Sequence, residues 1–266
     1  MCVSNEGRDE LLVREEESLA FVTFNRPQAR NAMTWSMYDR LLAYSEEVDR
    51  NDAIRAVIFT GAGDQAFIAG TDISQFQAFH TPQDPLAYEQ RMDRVLDRLE
   101  RIGKPTIAMI RGYCTGGGLA LAAACDFRYA TPDVKMGIPI ARTLGNCVSM
   151  NNAARLLDLV GPARAKEVLM QARLFEANDA LALGLVNEIV PGDKLEARVR
   201  EVVRTLGTLA PLTLRASKEA IRRLQAKRRL APGEGEDLIL SCYMSEDFKS
   251  AVQAFVERRP PVWQGR

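Results

Sequence analysis

A run of three glycines is the part of this sequence that is best suited to chemistry. Gly116, Gly117 and Gly118 follow a predicted strand and turn, and they precede an alanine-rich segment that favours a helix. The first N–H groups of a helix have no acceptor within it and lie at the positive end of its dipole, so they attract an oxyanion or a phosphate. Glycine also lets a ligand approach the main chain closely. The triplet alone is equally consistent with a tight turn that needs left-handed backbone angles.

A second segment has the same form. Gly70-Thr71-Asp72-Ile73 follows the short apolar run at 66–69, and Asp72 lies near the start of a predicted helix. Backbone N–H groups at the ends of two strands could converge on one oxygen and form an oxyanion hole, in which each donor contributes about 3–4 kcal/mol to a barrier. For the Asp72 side chain itself, helix capping is the favoured role.

The rest of the composition limits the other kinds of site. His80 is the one histidine, and no C-x-x-C, H-E-x-x-H or G-x-S-x-G spacing occurs, so neither a zinc site nor a serine-hydrolase elbow is expected. A solvated or capping role is favoured for His80. We therefore expect chemistry from backbone groups, carboxylates or hydroxyls.

Two further glycine motifs resemble nucleotide-binding sequences only in part. Residues 61–66 match G-x-G-x-x-A, but the Rossmann motif requires a helix directly afterwards, and here Gly70 ends a short apolar run. The segment 112–118 has no following Lys-Ser/Thr, as a P-loop would. A dinucleotide-dependent oxidoreductase is thus the weakest of the alternatives, and a test of NAD(H) binding would exclude it.

Charge and length describe an ordinary enzyme-sized chain. Its 266 residues include 35 basic and 35 acidic side chains, which gives no reason to expect a nucleic acid or an anionic membrane as partner. No apolar run approaches the roughly 18–20 residues that span a bilayer, and the first ten residues lack a hydrophobic signal core. Five scattered cysteines are expected to be free thiols in a reducing compartment, so a cytoplasmic location is predicted. These cysteines are Cys2, Cys114, Cys125, Cys147 and Cys242.

Hydrophobic periodicity divides the chain into two regions. Strands and helices alternate over residues 1–190, whereas residues 191–266 contain helices alone. The pattern predicts an α/β core followed by a helical extension. The predicted strands are 11–14, 19–24, 56–60, 66–70 and 106–110. One helix is predicted to begin after Thr34 as its N-cap, and the other predicted helices span 91–101, 119–124, 194–209, 214–224, 238–244 and 248–256.

Three segments resemble the enoyl-CoA hydratase/isomerase (crotonase) family. They are NRPQARNAM at 25–33, AFIAGTDI at 66–73 and GYCTGGGLALA at 112–122, and shorter matches occur at 125–128, 182–187 and 254–259. The resemblance covers nearly the whole chain, and its motifs occur in the family's order.

The resemblance implies a crotonase-like α/β spiral of ββα units over residues 1–190. It also implies an α-helical C-terminal region over 191–266 that mediates trimerisation and covers the active site, in a homotrimer or a dimer of trimers. The expected substrate is an acyl-CoA thioester of fatty acid metabolism, with coenzyme A as part of the substrate, no separate cofactor and no metal. The family stabilises a thioester enolate with two backbone N–H groups, which correspond here to Thr71 and Gly117.

The resemblance also indicates positions that would contact the substrate. Ala69 and its neighbours would line the adenine end of the CoA pocket, and Arg258 would help to hold a phosphate. Gln28 and Ser74 stand where basic residues often contact CoA, so the grip on phosphate could be weaker here. The candidate substrate-binding residues are Ala69, Gly70, Asp72, Ile73, Gly116, Ala120, Ile140, Arg142 and Arg258.

The sequence departs from the family at the two positions that carry the hydratase glutamates, which here are Ala120 and Ile140. Adding water to a conjugated double bond needs a base to activate the water and an acid to protonate carbon. An alanine and an isoleucine can do neither, so we expect a reaction other than standard hydration. Arg142 could instead grip a substrate carboxylate, although a salt bridge at a subunit contact is the favoured role for it.

Other polar groups near the expected pocket form no obvious acid–base pair. Cys114, Thr115 and Cys147 are such groups, and small-residue packing is their alternative role. The leading hypothesis is an acyl-CoA enzyme with altered catalytic groups, either a double-bond isomerase with an unrecognised base or a decarboxylase of malonyl-type thioesters. The rival hypothesis is an acyl-CoA-binding subunit without catalytic activity.

Overall fold

The computed structural model describes residues 10–229, 231 and 233–266. Two sheets and a surrounding set of helices make up this part of the chain. Its strands are β1 (Leu11–Glu16), β2 (Leu19–Phe24), β3 (Ala56–Gly61), β4 (Ala66–Ile68), β5 (Thr106–Ile110), β6 (Tyr113–Thr115), β7 (Phe127–Ala130), β8 (Lys135–Gly137), β9 (Phe175–Glu176) and β10 (Glu188–Ile189). Its α-helices are α1 (Trp35–Arg50), α2 (Gln83–Glu100), α3 (Gly117–Ala124), α4 (Ile140–Thr143), α5 (Met150–Met170), α6 (Ala177–Ala182), α7 (Leu195–Gly207), α8 (Pro211–Ala226), α9 (Glu236–Tyr243) and α10 (Glu246–Val256).

The same repeating unit contributes strands to both sheets. The larger sheet has the order β1-β2-β3-β5-β7-β10, and the smaller sheet has the order β4-β6-β8-β9. Each of the pairs β3–β4, β5–β6 and β7–β8 places its first strand in the larger sheet and its second in the smaller, and a helix follows. This is the ββα repetition expected from the resemblance, and it brings the ends of β4 and β6 to one edge.

Local sequence explains most of these elements. The predicted hairpin is confirmed: β1 pairs antiparallel with β2, and β2 pairs parallel with β3. Thr34 caps α1 as predicted, since its side chain accepts a hydrogen bond from the Met37 N–H. Strand β5 is buried on both faces, as parallel central strands usually are.

Helix α2 begins eight residues earlier than its apolar pattern predicts. The Asp84 carboxylate accepts hydrogen bonds from the backbone N–H groups of His80 and Thr81, and Pro85 occupies the first turn, where no N–H is needed. His80 itself is exposed at this end of the helix. The two additional turns bring Tyr88 and Glu89 into the buried face of α2.

The C-terminal helices differ in how they pack. Helix α7 covers the outer face of the larger sheet with a buried apolar stripe, and α9 and α10 return to the core. The rings of Tyr243 and Phe248 lie 4.8 Å apart and pack near Phe76. Helix α8 has no buried residue and exposes apolar side chains, namely Leu212, Ile221 and Leu224.

The described residues bear on two expectations from composition, free cysteines and the lack of a membrane-spanning segment. Their four cysteines are free, and Cys2 lies outside them. Among these same residues, no helix combines the length and the hydropathy needed to cross a bilayer.

Candidate active site

The two glycine turns lie against each other. Strands β4 and β6 are parallel neighbours, so their carboxyl ends meet at one edge of the smaller sheet. A Cβ atom added to Gly116 would lie 3.5 Å from the Cα of Gly70, and one added to Gly70 would lie 3.7 Å from the carbonyl oxygen of Thr115. The backbones therefore approach to van der Waals contact at this edge.

One N–H group on each turn is left without an acceptor. Within the described residues, the amides of Thr71 and Gly117 donate no hydrogen bond, although amides around them do. The Gly116 N–H donates to the Gly137 carbonyl at 2.9 Å, and the Asp72 N–H donates to the Met33 carbonyl at 2.9 Å. Gly117 is the first residue of α3, where an amide has no partner inside the helix.

The Thr71 turn is held by the segment that precedes α1. Met33 forms an isolated parallel bridge with Thr71: its N–H donates to the Gly70 carbonyl, and its carbonyl accepts from the Asp72 N–H, both at 2.9 Å. These two bonds use the groups on either side of the Thr71 amide. They leave that amide itself unpaired.

A buried asparagine fixes the approach to this bridge. Asn31 has a left-handed φ of 58°, and its side-chain N–H₂ donates to the carbonyls of Ala62 and Ala66 at 3.0 and 2.8 Å. Its side-chain oxygen accepts from the Arg26 N–H at 3.0 Å. Asparagine suits this position because it tolerates left-handed angles and both donates and accepts hydrogen bonds.

Each glycine of the triplet meets a different requirement. Gly116 has a φ of 55° and a ψ of −120°, which side chains disfavour. A Cβ on Gly118 would lie 2.2 Å from the Ile68 carbonyl oxygen, so β4 and α3 could not pack as closely. A Cβ on Gly117 would lie 3.0 Å from the Tyr38 hydroxyl.

Both turns border a small cavity of about 100 Å³. It also touches α2, α4 and the loop before α5. Most predicted site residues line it, namely Ala69, Gly70, Thr71, Ile73, Gly116, Gly117, Ala120 and Ile140, together with Thr115 and Cys147. A larger cavity of about 570 Å³ lies by α7 and α8 and contains none of the predicted site residues.

Three of the predicted substrate-binding residues lie outside this cavity lining. The Asp72 carboxylate caps the 3-10 helix Ile73–Ala78 through Ser74 and pairs with Arg26 at 2.8 Å. Burial opposes its ionisation, but the hydrogen bonds from Ser74 and Arg26 prevail and lower its pKa. Arg142 is exposed on α4, and Arg258 is exposed just after α10. Cys114 is fully buried in the core.

Hydroxyl groups form one side of the cavity. The Thr71 hydroxyl lies 2.7 Å from the Tyr38 hydroxyl and 2.9 Å from the Tyr88 hydroxyl. Burial raises the pKa of both phenols well above the ordinary value, so both stay neutral. This network orients the Thr71 side chain beside the unpaired amide.

Glu89 is the functional candidate that the sequence reasoning missed. It lies on α2 with 4% of its surface exposed, and it lines the cavity. Its Oε1 accepts a 2.6 Å hydrogen bond from the Tyr243 hydroxyl, while Oε2 is buried and has no partner in the described part of the chain. Burial, with a smaller contribution from the charge of Asp93, raises the pKa of Glu89 to about 8, although the Tyr243 hydroxyl and the Ser149 backbone N–H act in the opposite direction.

A signal for Glu89 was present in the sequence. Leu86, Glu89 and Met92 are spaced three residues apart, which places an acid within the apolar stripe of α2. The predicted helix begins only at residue 91, which leaves Glu89 outside its buried face.

The arrangement can bind an oxygen that becomes negative, beside one carboxyl group. Ala120 and Ile140 form apolar parts of the wall. Among the described lining residues, Glu89 is the one carboxyl group, and none is Lys, Arg or His. Two unpaired N–H groups on adjoining turns at the wall of one cavity are the kind of donors that stabilise oxyanions.

Comparisons with known proteins agree with this geometry. The family model described as "Enoyl-CoA hydratase/isomerase" matches residues 14–266. The short-chain-enoyl-CoA hydratase of Clostridium acetobutylicum is 33% identical over 94% of this chain and 95% of its own.

Solved structures give the same result. An enoyl-CoA hydratase/carnithine racemase from Magnetospirillum magneticum superposes with a TM-score of 0.79, at 32% identity over 97% of this chain and 96% of its own. A methylmalonyl-CoA decarboxylase in complex with 2-nitronate-propionyl-CoA superposes with a TM-score of 0.86, at 26% identity over 97% of this chain and 99% of its own. The crotonase-like fold is thereby confirmed, and the chain belongs to the enoyl-CoA hydratase/isomerase family of enzymes that act on acyl-CoA thioesters.

Proposed function

We propose that this enzyme binds the thioester carbonyl oxygen of an acyl-CoA between the amides of Thr71 and Gly117 and stabilises the enolate formed there. The observation that carries this proposal is the pair of N–H groups without acceptors on two touching turns at the wall of one cavity. Such donors act on the charge that develops during reaction, and losing one typically costs about 3–4 kcal/mol.

The reaction itself is proposed to be other than hydration of an enoyl thioester. Ala120 and Ile140 line the cavity where the family's hydratases carry glutamates, and neither side chain can activate water or protonate carbon. The name hydratase carried by several relatives therefore describes those proteins rather than this one.

Decarboxylation of a malonyl-type thioester is a specific candidate. It releases CO₂ and leaves the bond's electron pair as the same enolate, which then takes up one proton. The likeness to a methylmalonyl-CoA decarboxylase favours this candidate. So does the lining, because no cation among its described residues would hold the substrate carboxylate in its charged form. Arg142 has no part in this version of the proposal, since its side chain is exposed on α4.

Two measurements on the wild-type protein test the proposal. Bound butyryl-CoA labelled with ¹³C at the carbonyl should show a lowered thioester stretching frequency in difference infrared spectra, because two N–H donors polarise the bond. Crotonyl-CoA hydration should stay near the background rate, while methylmalonyl-CoA should give propionyl-CoA and CO₂. An unshifted carbonyl band would contradict the proposed oxyanion hole. Hydration at ordinary hydratase rates would contradict the role given to Ala120 and Ile140. Binding with a shifted band and no turnover of any thioester would favour the non-catalytic alternative.

We also propose self-association as a homotrimer or a dimer of trimers. The support is the set of apolar side chains that α8 exposes in the single chain, namely Leu212, Ile221 and Leu224. Light scattering after gel filtration gives the mass directly, and a monomer would contradict the proposal.

A further inference from the structure

We propose that Glu89 is the group that carries a proton between solvent and the substrate carbon next to the thioester carbonyl. This inference rests on the function proposed above, since it needs the enolate that the Thr71 and Gly117 amides would hold. It assigns the missing acid–base role to α2 rather than to the positions of Ala120 and Ile140.

The first support is the position of the carboxyl group in the cavity. Glu89 lines the same cavity of about 100 Å³ as Thr71 and Gly117. The neighbouring residue, Tyr88, bonds directly to the Thr71 hydroxyl at 2.9 Å.

The second support is a free hydrogen-bonding site on the carboxyl group. Oε1 is engaged by the Tyr243 hydroxyl, whereas Oε2 of Glu89 is buried without a partner in the described residues. Buried polar atoms in native proteins nearly always have a partner, so an exception requires an explanation. A substrate proton at this position would supply the partner.

The third support is access to solvent from the opposite side. Glu89 also lines a surface groove between α2 and α9, together with Gln90, Asp93 and Ile239. The residue thus borders both the cavity and the groove. Proton entry is assigned to the groove side, away from the bound substrate.

The electrostatic surroundings of Glu89 hold its pKa close to neutral pH. The ionisable groups that face it are Tyr38 from α1, Tyr88 and Asp93 from α2, Cys147 from the loop before α5, and Tyr243 from α9. None of these is a cation, and burial raises the pKa of Glu89 to about 8. Acid–base catalysis works best when this value lies close to the working pH.

The step balances without any further reactant. As a base, Oε2 takes the α-proton, and the electron pair of the C–H bond moves into the carbonyl to give the enolate. As an acid, the same oxygen returns a proton to the α-carbon, or to the γ-carbon of an enoyl chain. After loss of CO₂ from a malonyl-type thioester, the same delivery yields the saturated acyl-CoA.

Exchange of α-protons with D₂O tests this role on a defined probe, butyryl-CoA. The wild-type protein should incorporate deuterium, detected by mass spectrometry, with a rate that rises through a pKa near 8. Glu89→Gln should lose at least about 100-fold of this rate, which is the lower end of what acid–base groups contribute. The variant should bind butyryl-CoA with the wild-type dissociation constant and show the same shifted carbonyl band, because the two amides are unchanged.

A second carboxyl group of α2 provides the control. Glu100→Gln removes a residue that pairs with Arg155 at 2.8 Å and does not line the cavity. The folded fraction of this variant should exchange α-protons at the wild-type rate. Equal losses in both variants would overturn the assignment.

The outcomes separate the two proposals. A shifted carbonyl band with full exchange in Glu89→Gln, or with no exchange in the wild-type protein, would overturn the role of Glu89 and leave the oxyanion hole intact. An unshifted carbonyl band would contradict both the oxyanion hole and the role of Glu89. If the variant did not fold, the pH profile of the wild-type exchange would still decide, because a rate independent of pH between 6 and 9 would contradict the assignment.

Discussion

The hydroxyl of Tyr243 donates a 2.6 Å hydrogen bond to Oε1 of Glu89, which joins α9 to α2 across 154 positions of sequence. The side chain of Asn146 donates in turn to the Tyr243 oxygen at 2.9 Å. A donor to a carboxylate favours its charged form and lowers its pKa. A C-terminal helix therefore influences the ionisation of an acid in the candidate active site.

Removing this donor should move the pH dependence of exchange upwards. Tyr243→Phe deletes a hydrogen bond to a charged acceptor, which is worth about 1.5–3 kcal/mol, so the pKa of Glu89 should rise by about one unit or more. At pH 7 the exchange of butyryl-CoA α-protons should fall about tenfold. A pH–rate profile measured by mass spectrometry checks both effects.

Another buried phenol serves as the comparison for Tyr243→Phe. Tyr44 lies on α1 and donates to Glu15 at 3.1 Å, away from the cavity. Tyr44→Phe should leave the profile where it is in the wild-type protein. An unchanged profile in Tyr243→Phe would mean that the hydrogen bond does not control the exchanging acid.

The raised pKa of Glu89 also predicts how stability depends on pH. The unfolded chain loses this proton near 4.5 and the folded chain near 8, so between these values the unfolded state binds fewer protons. The contribution of Glu89 to stability is therefore fully present below pH 4.5 and is lost as pH rises to about 8, at about 1.4 kcal/mol per unit. Glu89→Gln removes this dependence.

Urea denaturation of both proteins at several pH values measures the effect. Relative to the wild-type protein, Glu89→Gln should gain unfolding free energy steadily from pH 5 to pH 8 and no further above it. Parallel curves for the two proteins would show that Glu89 titrates near its ordinary value.

Glycine substitutions should separate the binding role of the triplet from its packing role. Gly118→Ala would place a Cβ 2.2 Å from the Ile68 carbonyl oxygen, so we expect a loss of folded protein or more than about 4 kcal/mol of stability. Gly117→Ala would place a Cβ 3.0 Å from the Tyr38 hydroxyl and in ordinary contact, at 3.5 Å, with Met92 and Thr71, so it should cost about 1–2 kcal/mol while weakening butyryl-CoA binding.

A glycine at the end of α7 is the control for the triplet. No atom lies within 4 Å of a Cβ added to Gly207, so Gly207→Ala should leave both binding and stability close to wild type. Chemical denaturation and calorimetric titration with butyryl-CoA make the comparison. Normal binding by Gly117→Ala would contradict the expectation that the bound thioester lies against this turn, where the added methyl group would obstruct it.

The turn that carries Thr71 should depend on Asn31. Asn31→Ala leaves the carbonyls of Ala62 and Ala66, the second of them buried, without this donor, so we expect a loss of about 2–4 kcal/mol and weaker binding of butyryl-CoA. Asn51→Ala, which removes solvent-exposed hydrogen bonds to Glu15 and from the Ala53 N–H, should cost less than about 1 kcal/mol. Denaturation midpoints of the two variants provide the test, and equal midpoints would contradict the structural role of Asn31.

The elements could be predicted from sequence where one local rule governs them. The β1–β2 hairpin, the Thr34 cap and the apolar stripe of α7 each depend on residues that are neighbours in sequence. The two glycine turns were recognised because glycine spacing and a following helix are local signals as well. The expectation that they meet required only that the strands before them be parallel neighbours.

The acid could not be predicted in the same way, because its properties arise from distant residues. Glu89 is buried by α9 and by the loop before α5, and Tyr243 reaches it from the far end of the chain. Arg142 illustrates the opposite difficulty. Two positions after Ile140 it is close to the cavity in sequence, yet its place on α4 directs it to solvent.

The Met33–Thr71 bridge holds one of the two turns with residues from the first third of the chain, whereas Tyr243, which donates to the cavity-lining Glu89, comes from the last. Both glycine turns are therefore translated well before Tyr243, the phenol that donates to Glu89. Under the two proposals above, a chain lacking its final helices would still carry the donors for the oxyanion but would lack the hydrogen bond to its acid.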